Sequence, residues 1–417
     1  MPTPVVYDVF SRMLMTGFDE HVYIRLPTAF QSMFGRPATG SYTVFSPNAN
    51  EFDIEITRGD ERLAALIPRG INAKFGGSPA ATGGASGHQS LQAGVATTFS
   101  RKYPLVEEDG AISADQLNQR VVPYEMPYEN WTKEDRMRNL AQRIYFEAIR
   151  RIIRLQEFLA SQSVRLGLQS AQNVADTTVN FYDWRRNSSN HTTPTHGWGN
   201  ASGVPLTDLD TANAQIRTAS KNSGGPPDFA IFGGLAMLYF FANAQIQTNY
   251  GNKLYFDLLR FEGDYKPEPK FAHLVEGGCV PFGKLRTPMG FELTIFTYPE
   301  WYLSTAGAAT KYMPDADVLV GCSGARCDRY FGPAEKMPLT AIQQAQLMER
   351  FGWNPAVPPL PPNIKGGAGV IQPQMFYCDG YDGENAKTTT IRVQAAPVFP
   401  TTMTDCFYYI STVGNAS

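Results

Sequence analysis

The sequence predicts an α+β protein, and three observations predict it. The first is a run from Thr132 to Leu168 with neither proline nor an interior glycine before Gly167. Its apolar residues Leu140, Ile144, Ala148, Ile152, Leu155 and Leu159 recur every three or four positions, the period of one helical face. The second is FDIEI (52–56), where apolar and acidic residues alternate as they do in a half-buried strand. The third is the order of elements from residue 228 onward. Strand then helix over Asp228–Asn249 is followed by FELTIFTY (291–298), with Phe291, Leu293 and Ile295 inward, and by the short apolar ADVLVG (316–321). Strand, helix, strand, strand in that order make one compact α+β unit.

The helix is the longest feature. Thr132 is placed as its N-cap, with Asp135 as the acidic half of a capping box, and Gly167 as its terminator. At 1.5 Å per residue it is roughly 50 Å long, enough to cross a whole domain. Tyr145, Ile149 and Ile153 widen the apolar face. The other face carries Lys133, Arg136, Arg138, Arg143, Arg150, Arg151, Arg154 and Arg165 against Glu134, Asp135, Glu147 and Glu157, a local excess of +4 in a chain of net charge -3. That face reads either as a solvated surface laced with i,i+4 pairs such as Glu147–Arg151 or as a basic ridge turned towards a polyanion.

Ahead of the helix, RLAALIP (62–68) is a second extended run and residues 71–94 are rich in glycine. VATTFSRKYPLV (95–106) then returns as a strand with Val95, Phe99, Tyr103 and Leu105 on one side. Out along one strand, over a glycine-rich tip and back along another is a long projecting two-stranded loop. Alone in water such a hairpin is marginal, so it is expected to lie on a neighbour. Residues 353–369 form a proline-rich spacer, and TTTIRVQAAPV (388–398) and CFYYISTV (406–413) close the chain as two strands.

Composition narrows the function classes. A 43% hydrophobic, 12% aromatic chain of 417 residues has ample material for two or three cores and is not a disordered one. An acidic pI near 6 argues against avid, whole-surface nucleic-acid binding. Five cysteines in a long chain do not suggest a disulfide framework, so free thiols and a reducing compartment are expected. The apolar run 229–244 is shorter than the ~20 residues a spanning helix needs, and no signal peptide is visible, so a soluble chain is expected. No nucleophile elbow, phosphate loop, dinucleotide fingerprint or clustered catalytic carboxylates occur, and no cofactor is expected. His191 and His196, followed by Asp208 and Asp210, are the one histidine–carboxylate cluster. They would be the ligands of a metal-dependent hydrolase, but a proline and a glycine interrupt the helical spacing that zinc enzymes use, so a surface loop is the stronger reading.

The same order of parts resembles the HK97-type viral capsid fold, and more closely the lambda-like major capsid protein E family of tailed bacteriophages. The resemblance rests on RMRNLAQRIYFEAIRRIIRLQEFLASQSVRLG and on TVNFYDWRRN with GWGNASGVPLTDLDTA, where Asp183-Trp184-Arg185, Trp198 and Asp208-Leu209 fall on the family pattern. PDFAIFGGLAMLYFFANAQIQ, YMPDADVLVGCSGARCDRYFG and TTTIRVQAAPVFPTTMTDCFYYISTV follow in family order. Blocks in sequence carry more weight than any one of them.

The resemblance implies an N-terminal arm (1–50), an E-loop with flanking strands (51–122) and a peripheral P-domain (123–205) holding the spine helix 132–168. An axial A-domain (206–384) and C-terminal strands (385–417) that return to the P- and A-domains would complete the chain. Residues 333–387 run longer than the family norm, which leaves room for an added surface feature. In this frame Gly76, Gly77, Gly83, Gly84 and Gly87, with Arg101 and Lys102, would make inter-subunit contacts through the E-loop. Arg143, Arg150, Arg151 and Arg154 would form the inner basic face of the spine helix. The implied assembly is hexamers and pentamers of the same chain in an icosahedral phage head, put together in the host cytoplasm and enclosing double-stranded DNA by weak, non-specific contact. Scaffolding, portal and decoration or cement proteins are its implied partners, with no membrane. An encapsulin-like nanocompartment shell of the same fold is the alternative.

Overall fold

The computed structural model describes residues 26–45, 51–56, 97–113, 133–172, 178–221, 223–251, 268–304, 307–332, 377–382 and 388–412. Thr132, the run 62–68, the glycine-rich stretch 71–94 with its five named glycines, and the spacer 353–369 lie outside them.

A 3-10 turn at Gln31–Met33 and strand β1 (Thr43–Phe45) come first. β2 (Glu51–Ile56) pairs antiparallel with β3 (Thr97–Lys102), Ile56 opposite Thr97, so residues 57–96 depart and return at one end of the pair. β4 (Val106–Ser113) precedes the long helix α1 (Lys133–Leu166). Behind α1, β5 (Leu168–Gln172) and β6 (Thr178–Asp183) form a hairpin in a stretch whose polar composition suggests turns. Next come β7 (His191–Thr192), α2 (Pro205–Ser220), β8 (Phe229–Phe232), α3 (Gly234–Ala242), α4 (Ala244–Gly251) and α5 (Ala272–Glu276). β9 (Val280–Arg286), β10 (Glu292–Thr297), β11 (Trp301–Leu303), β12 (Ala309–Lys311), β13 (Asp317–Gly321) and β14 (Arg329–Phe331) follow. β15 (Tyr377–Asp382), β16 (Thr388–Ala395), β17 (Pro397–Val398) and β18 (Phe407–Ser411) complete the set.

The main core is built on a mixed six-stranded sheet in the order β7-β18-β13-β8-β10-β9. Every residue of β8 and β13 is buried, which requires cover on both faces. In β10 the alternation expected from FELTIFTY fails: Leu293, Thr294, Ile295 and Phe296 are all buried, because this strand too lies inside the sheet. A separate sheet, β15-β16-β4, packs under the first part of α1. There Gly110 lets the helix come close, since a Cβ at that position would meet the Ile144 methyl at 2.1 Å. β15 falls within 333–387, so that stretch ends in a strand of this sheet. A third, small sheet joins β1 to β14 in parallel and β14 to β17 antiparallel, tying residues 43–45 to the C-terminal part of the chain.

The helix itself departs from the expected single apolar stripe. Ala148, Ile149, Ile152, Ile153 and Leu159 are buried as the period predicts, but Leu155 is only partly so. From Gln156 onward α1 is buried on nearly every side, polar residues included: Glu157, Ser161, Gln162, Ser163 and Arg165 all lie inside. Glu157 and Arg165 therefore do not belong to the solvated face on which their charge places them. Each has partners that make its burial tolerable. Arg165 donates to the Tyr312 carbonyl at 3.0 Å and to the Tyr409 hydroxyl at 3.3 Å. Gln162 accepts from the Ser170 amide at 2.8 Å.

This burial pattern ranks two substitutions. Ile152→Asp sets an unpaired charge at a fully buried position, at a cost of several kcal/mol, and should leave no folded subunit in the soluble fraction. Leu155→Asp, on the half-buried flank, should give folded protein with a lowered thermal midpoint. Equal midpoints for the two would overturn the facing assigned to α1.

Candidate assembly and polyanion-facing surfaces

The β2–β3 pair, which flanks residues 57–96, is anchored through one side of β2. Phe52, Ile54 and Ile56 are buried against Tyr182, Trp184 and Val398, with Tyr103 and Tyr330 at the margin. Phe52 makes ring contacts with Tyr103, Tyr182 and Tyr330 at 4.7, 5.5 and 5.7 Å. Tyr182 in turn stacks on Trp184 at 5.3 Å. Arg101 and Lys102 sit in β3 opposite Phe52 and Glu51, on the pair that leads out towards residues 57–96.

Trp184 connects that root to the end of α1. Its indole N–H donates to the Ser163 hydroxyl at 3.1 Å, and its backbone N–H to the Gly167 carbonyl at 2.8 Å. Gly167 holds φ +68°, the left-handed conformation that ends helices, and its N–H returns to the Ser163 carbonyl at 3.2 Å. The last carbonyls of α1 are taken up by Arg186. Its guanidinium donates to the carbonyls of Ser163 (3.2 Å), Val164 and Arg165, and also to that of Thr404 at 3.2 Å. One cation thus satisfies what a helix end leaves unpaired, where the macrodipole favours positive charge. Burial lowers its pKa to about 10, against the pull of Asp405, which leaves it charged at neutral pH. Sequence reasoning singles out neighbouring Arg185, whereas the capping role falls to half-buried Arg186.

The four arginines of the basic face do not form one stripe. With 3.6 residues per turn, Arg150 and Arg154 fall within roughly 20° of Arg143 around the axis, while Arg151 lies roughly 80° away. All four are exposed. Arg151 turns towards β4 and pairs with Glu108 at 3.3 Å. Exposed Glu147 lies between Arg143 and Arg150 on the remaining stripe, so its charge is mixed.

The histidine–carboxylate cluster does not converge. His191 is exposed in β7, with its ring 5.2 Å from that of Tyr409, and His196 is exposed in the following loop. Asp208 and Asp210 are two positions apart on α2 and so point to opposite sides. Asp208 accepts from the Trp198 indole at 2.8 Å, and Asp210 from the Met289 amide at 3.4 Å. Burial raises the Asp208 pKa and the Trp198 bond opposes it. Among the described residues no group of three metal-ligating side chains comes together. Trp198, Asp208 and Leu209 instead lock the loop to α2, with Trp198 and Leu209 in the main core.

A sequence model of the phage major capsid protein E family matches residues 51–402. The chain belongs to that family. A search of curated proteins gives no match. Among solved structures, one described as the capsid protein of a prophage in E. coli CFT073 is 14% identical, with a TM-score of 0.50 over 76% of this chain and 79% of that one. The capsid of Ralstonia phage GP4 is 8% identical, with a TM-score of 0.41 over 91% and 88%. An encapsulin of Synechococcus elongatus PCC 7942 is 9% identical, with a TM-score of 0.34 over 89% and 86%.

This phage major capsid protein has the HK97-type fold and is a structural subunit of the virion that associates with copies of itself. The family match favours a phage head over a cellular shell of the same fold. Among the described residues no helix is long and apolar enough to cross a membrane.

The family residues named above act by packing and hydrogen bonding, which makes their removal measurable as stability. Arg186→Met should destabilise the subunit by about 2–4 kcal/mol, because several buried carbonyls lose their donor together. Exposed Arg150→Gln should change stability by no more than about 0.5 kcal/mol. Denaturant unfolding of the unassembled subunit checks both, and near-equal effects would refute the capping role of Arg186.

Proposed function

We propose that this subunit tiles as hexamers and pentamers into an icosahedral head enclosing double-stranded DNA, assembled in the host cytoplasm. Residues 1–50 are the arm, 51–122 the E-loop region, 123–205 the P-domain, 206–384 the A-domain and 385–417 the returning strands. The observation that carries this reading, beside the family match, is the antiparallel root of the loop. β2 and β3 are fixed on the Tyr182–Trp184 hairpin, and the chain between them leaves and returns at one end. Such a loop is built to reach outward, and burial against a neighbour supplies the apolar contact that its own composition lacks. Gly76, Gly77, Gly83, Gly84 and Gly87 at its tip, and Arg101 and Lys102 towards its base, are the proposed inter-subunit contacts. Scaffolding, portal and decoration or cement proteins are the expected partners of the assembled head.

Shortening residues 76–87 to a two-residue turn tests the loop. The thermal midpoint of the unassembled subunit should hardly move, since ordering each removed residue would itself cost about 1–2 kcal/mol of backbone entropy. Closed shells should fail to form, or break far more easily, because the same defect recurs at every subunit. Wild-type shells in electron micrographs of the deletion variant would remove the loop from the assembly interface.

For the DNA side, the exposed stripe Arg143, Arg150 and Arg154 is the proposed contact, with Arg151 contributing less because Glu108 already holds it. Replacing the three by glutamine should weaken non-specific duplex binding and flatten its dependence on salt. The log–log slope should fall by up to about 0.9 for each phosphate no longer neutralised. Arg151→Gln should do far less. An equal effect from Arg151→Gln alone would show that the stripe is not the surface DNA meets.

A further inference from the structure

We propose that Cys322 and Cys406 are a latent disulfide site that, on oxidation by a hydroperoxide, staples the terminal strand β18 to β13. The inference concerns the subunit by itself and does not depend on how subunits assemble.

The register of the main sheet sets the two thiols opposite each other. β13 and β18 run antiparallel, from Asp317 opposite Ser411 to Gly321 opposite Phe407. Continued by one step, the same register brings Cys322 against Cys406. Residues directly opposed in such a pair have Cα atoms about 4.5–5.5 Å apart and side chains on one face. A disulfide spans roughly 4.4–6.8 Å between Cα atoms, so this position is within its reach.

The sulfurs converge as the register requires. Both meet residues 223–225, which link α2 to β8. Cys406 Sγ lies 3.8 Å from the Ser223 hydroxyl, and Cys322 Sγ lies 3.3 Å from the Gly225 carbonyl oxygen. Gly224 leaves the room between them, since a Cβ there would stand 2.5 Å from Cys406 Sγ. Cys322 is 2% exposed and Cys406 0%, and both are free thiols. Their mutual hydrogen bond is the first cause holding the Cys406 thiol below its ordinary pKa, against burial, which marks Cys406 as the attacking sulfur. Cys327 is buried nearby, but its backbone pairs with Thr401 in a separate bridge outside this register.

The reaction balances on the pair. The Cys406 thiolate attacks one oxygen of the peroxide. The S–O bond forms as the O–O bond breaks, and the departing oxygen takes up the proton that the thiol released. Cys322 then attacks the sulfenic sulfur: S–S forms, S–O breaks, and hydroxide leaves as water with the Cys322 proton. Two thiols and one hydrogen peroxide thus give one disulfide and two waters, each sulfur losing one electron and the peroxide gaining two. Because both sulfurs are buried, attack waits on local opening and selects a small oxidant. In the reducing compartment that the cysteine usage suggests the site stays open, and in an oxidising medium it closes. Closure joins residue 322 to residue 406 and takes loop entropy from the unfolded chain.

Exhaustive treatment of the full-length, unassembled subunit with hydrogen peroxide tests this. Peptide mapping without reductant should recover Cys322 and Cys406 in one linked pair of peptides, lighter by two hydrogens, which dithiothreitol separates. The thermal midpoint should rise by about 5 °C in the linked form, as expected for a loop of this length in a chain of this size. Cys327→Ser should keep both the link and the rise, whereas Cys406→Ser should lose both. Cys322 and Cys406 recovered unlinked, as thiols or as sulfinic acids, would overturn the site, as would a link running to Cys327. A link that leaves the midpoint unmoved would overturn the staple. Should Cys406→Ser not fold, the map and midpoint of the wild-type protein decide alone.

Discussion

The subunit depends on one constraint: the last third of its long helix is buried on nearly every side while still carrying polar and charged side chains. Gln156, Glu157, Ser161, Gln162, Ser163 and Arg165 would each oppose folding if left without partners. Four of them instead gather other parts of the chain. Glu157 takes the N-terminal segment, Gln162 the hairpin that follows the helix, Ser163 the indole of Trp184, and Arg165 the Tyr312 carbonyl and Tyr409 of the terminal strand. Apolar contact alone would hold these elements near the helix, but it is non-directional. Hydrogen bonds to specific side chains set where each one docks.

The same logic links the helix to the loop. Ser163 is shared: its hydroxyl receives Trp184 and its carbonyl receives Arg186. Trp184 stacks on Tyr182, and Tyr182 meets Phe52 at the base of β2. A pull on the loop root is thus passed by contiguous packing to the C-terminal end of α1, within a few residues. If residues 57–96 meet neighbouring subunits as proposed, that is where a rigid attachment is needed. The glycine at 167 makes the tight turn that allows it, since a left-handed φ admits few other residues at no cost.

Much of this is legible in the sequence, and the parts that are not share a cause. The length and end of the helix, the strand at 52–56, the strand–helix pair from 228 and the strand at 316–321 all follow from period and composition, which report local structure. The alternation in FELTIFTY is only half the answer, because burial on the second face depends on which strands lie beside it. Charge is usually exposed, so Glu157 and Arg165 read as solvent-facing when the fold in fact encloses them. A signal is nevertheless present, since no charged residue falls between them in FLASQSV, and that gap marks where the helix goes inside. Spacing alone makes the histidine loop with Asp208 and Asp210 a weak metal site, and on α2 the two carboxylates point to opposite sides. The actual role of Asp208, holding an indole, needs the fold to bring Trp198 onto α2.

Charge distribution follows from the same arrangement. Of the arginines on α1, Arg165 is consumed inside and Arg151 is matched by Glu108. On the adjoining sheet Arg392 pairs with Glu107 at 2.9 Å and Asp109 at 3.0 Å, so the acidic row of β4 is largely neutralised within the subunit. Among the described side chains of the helix, Arg143, Arg150 and Arg154 stay outward with Glu147 between them, in a chain of net charge -3. Phosphate contact strengthens with each counterion released, so a sparse stripe repeated over many subunits gives weak, salt-sensitive attraction at any one point. On the proposed reading such a surface would restrain a packed polyanion without gripping it, because Arg143, Arg150 and Arg154 stand beside Glu147 while folding engages Arg151 and Arg165.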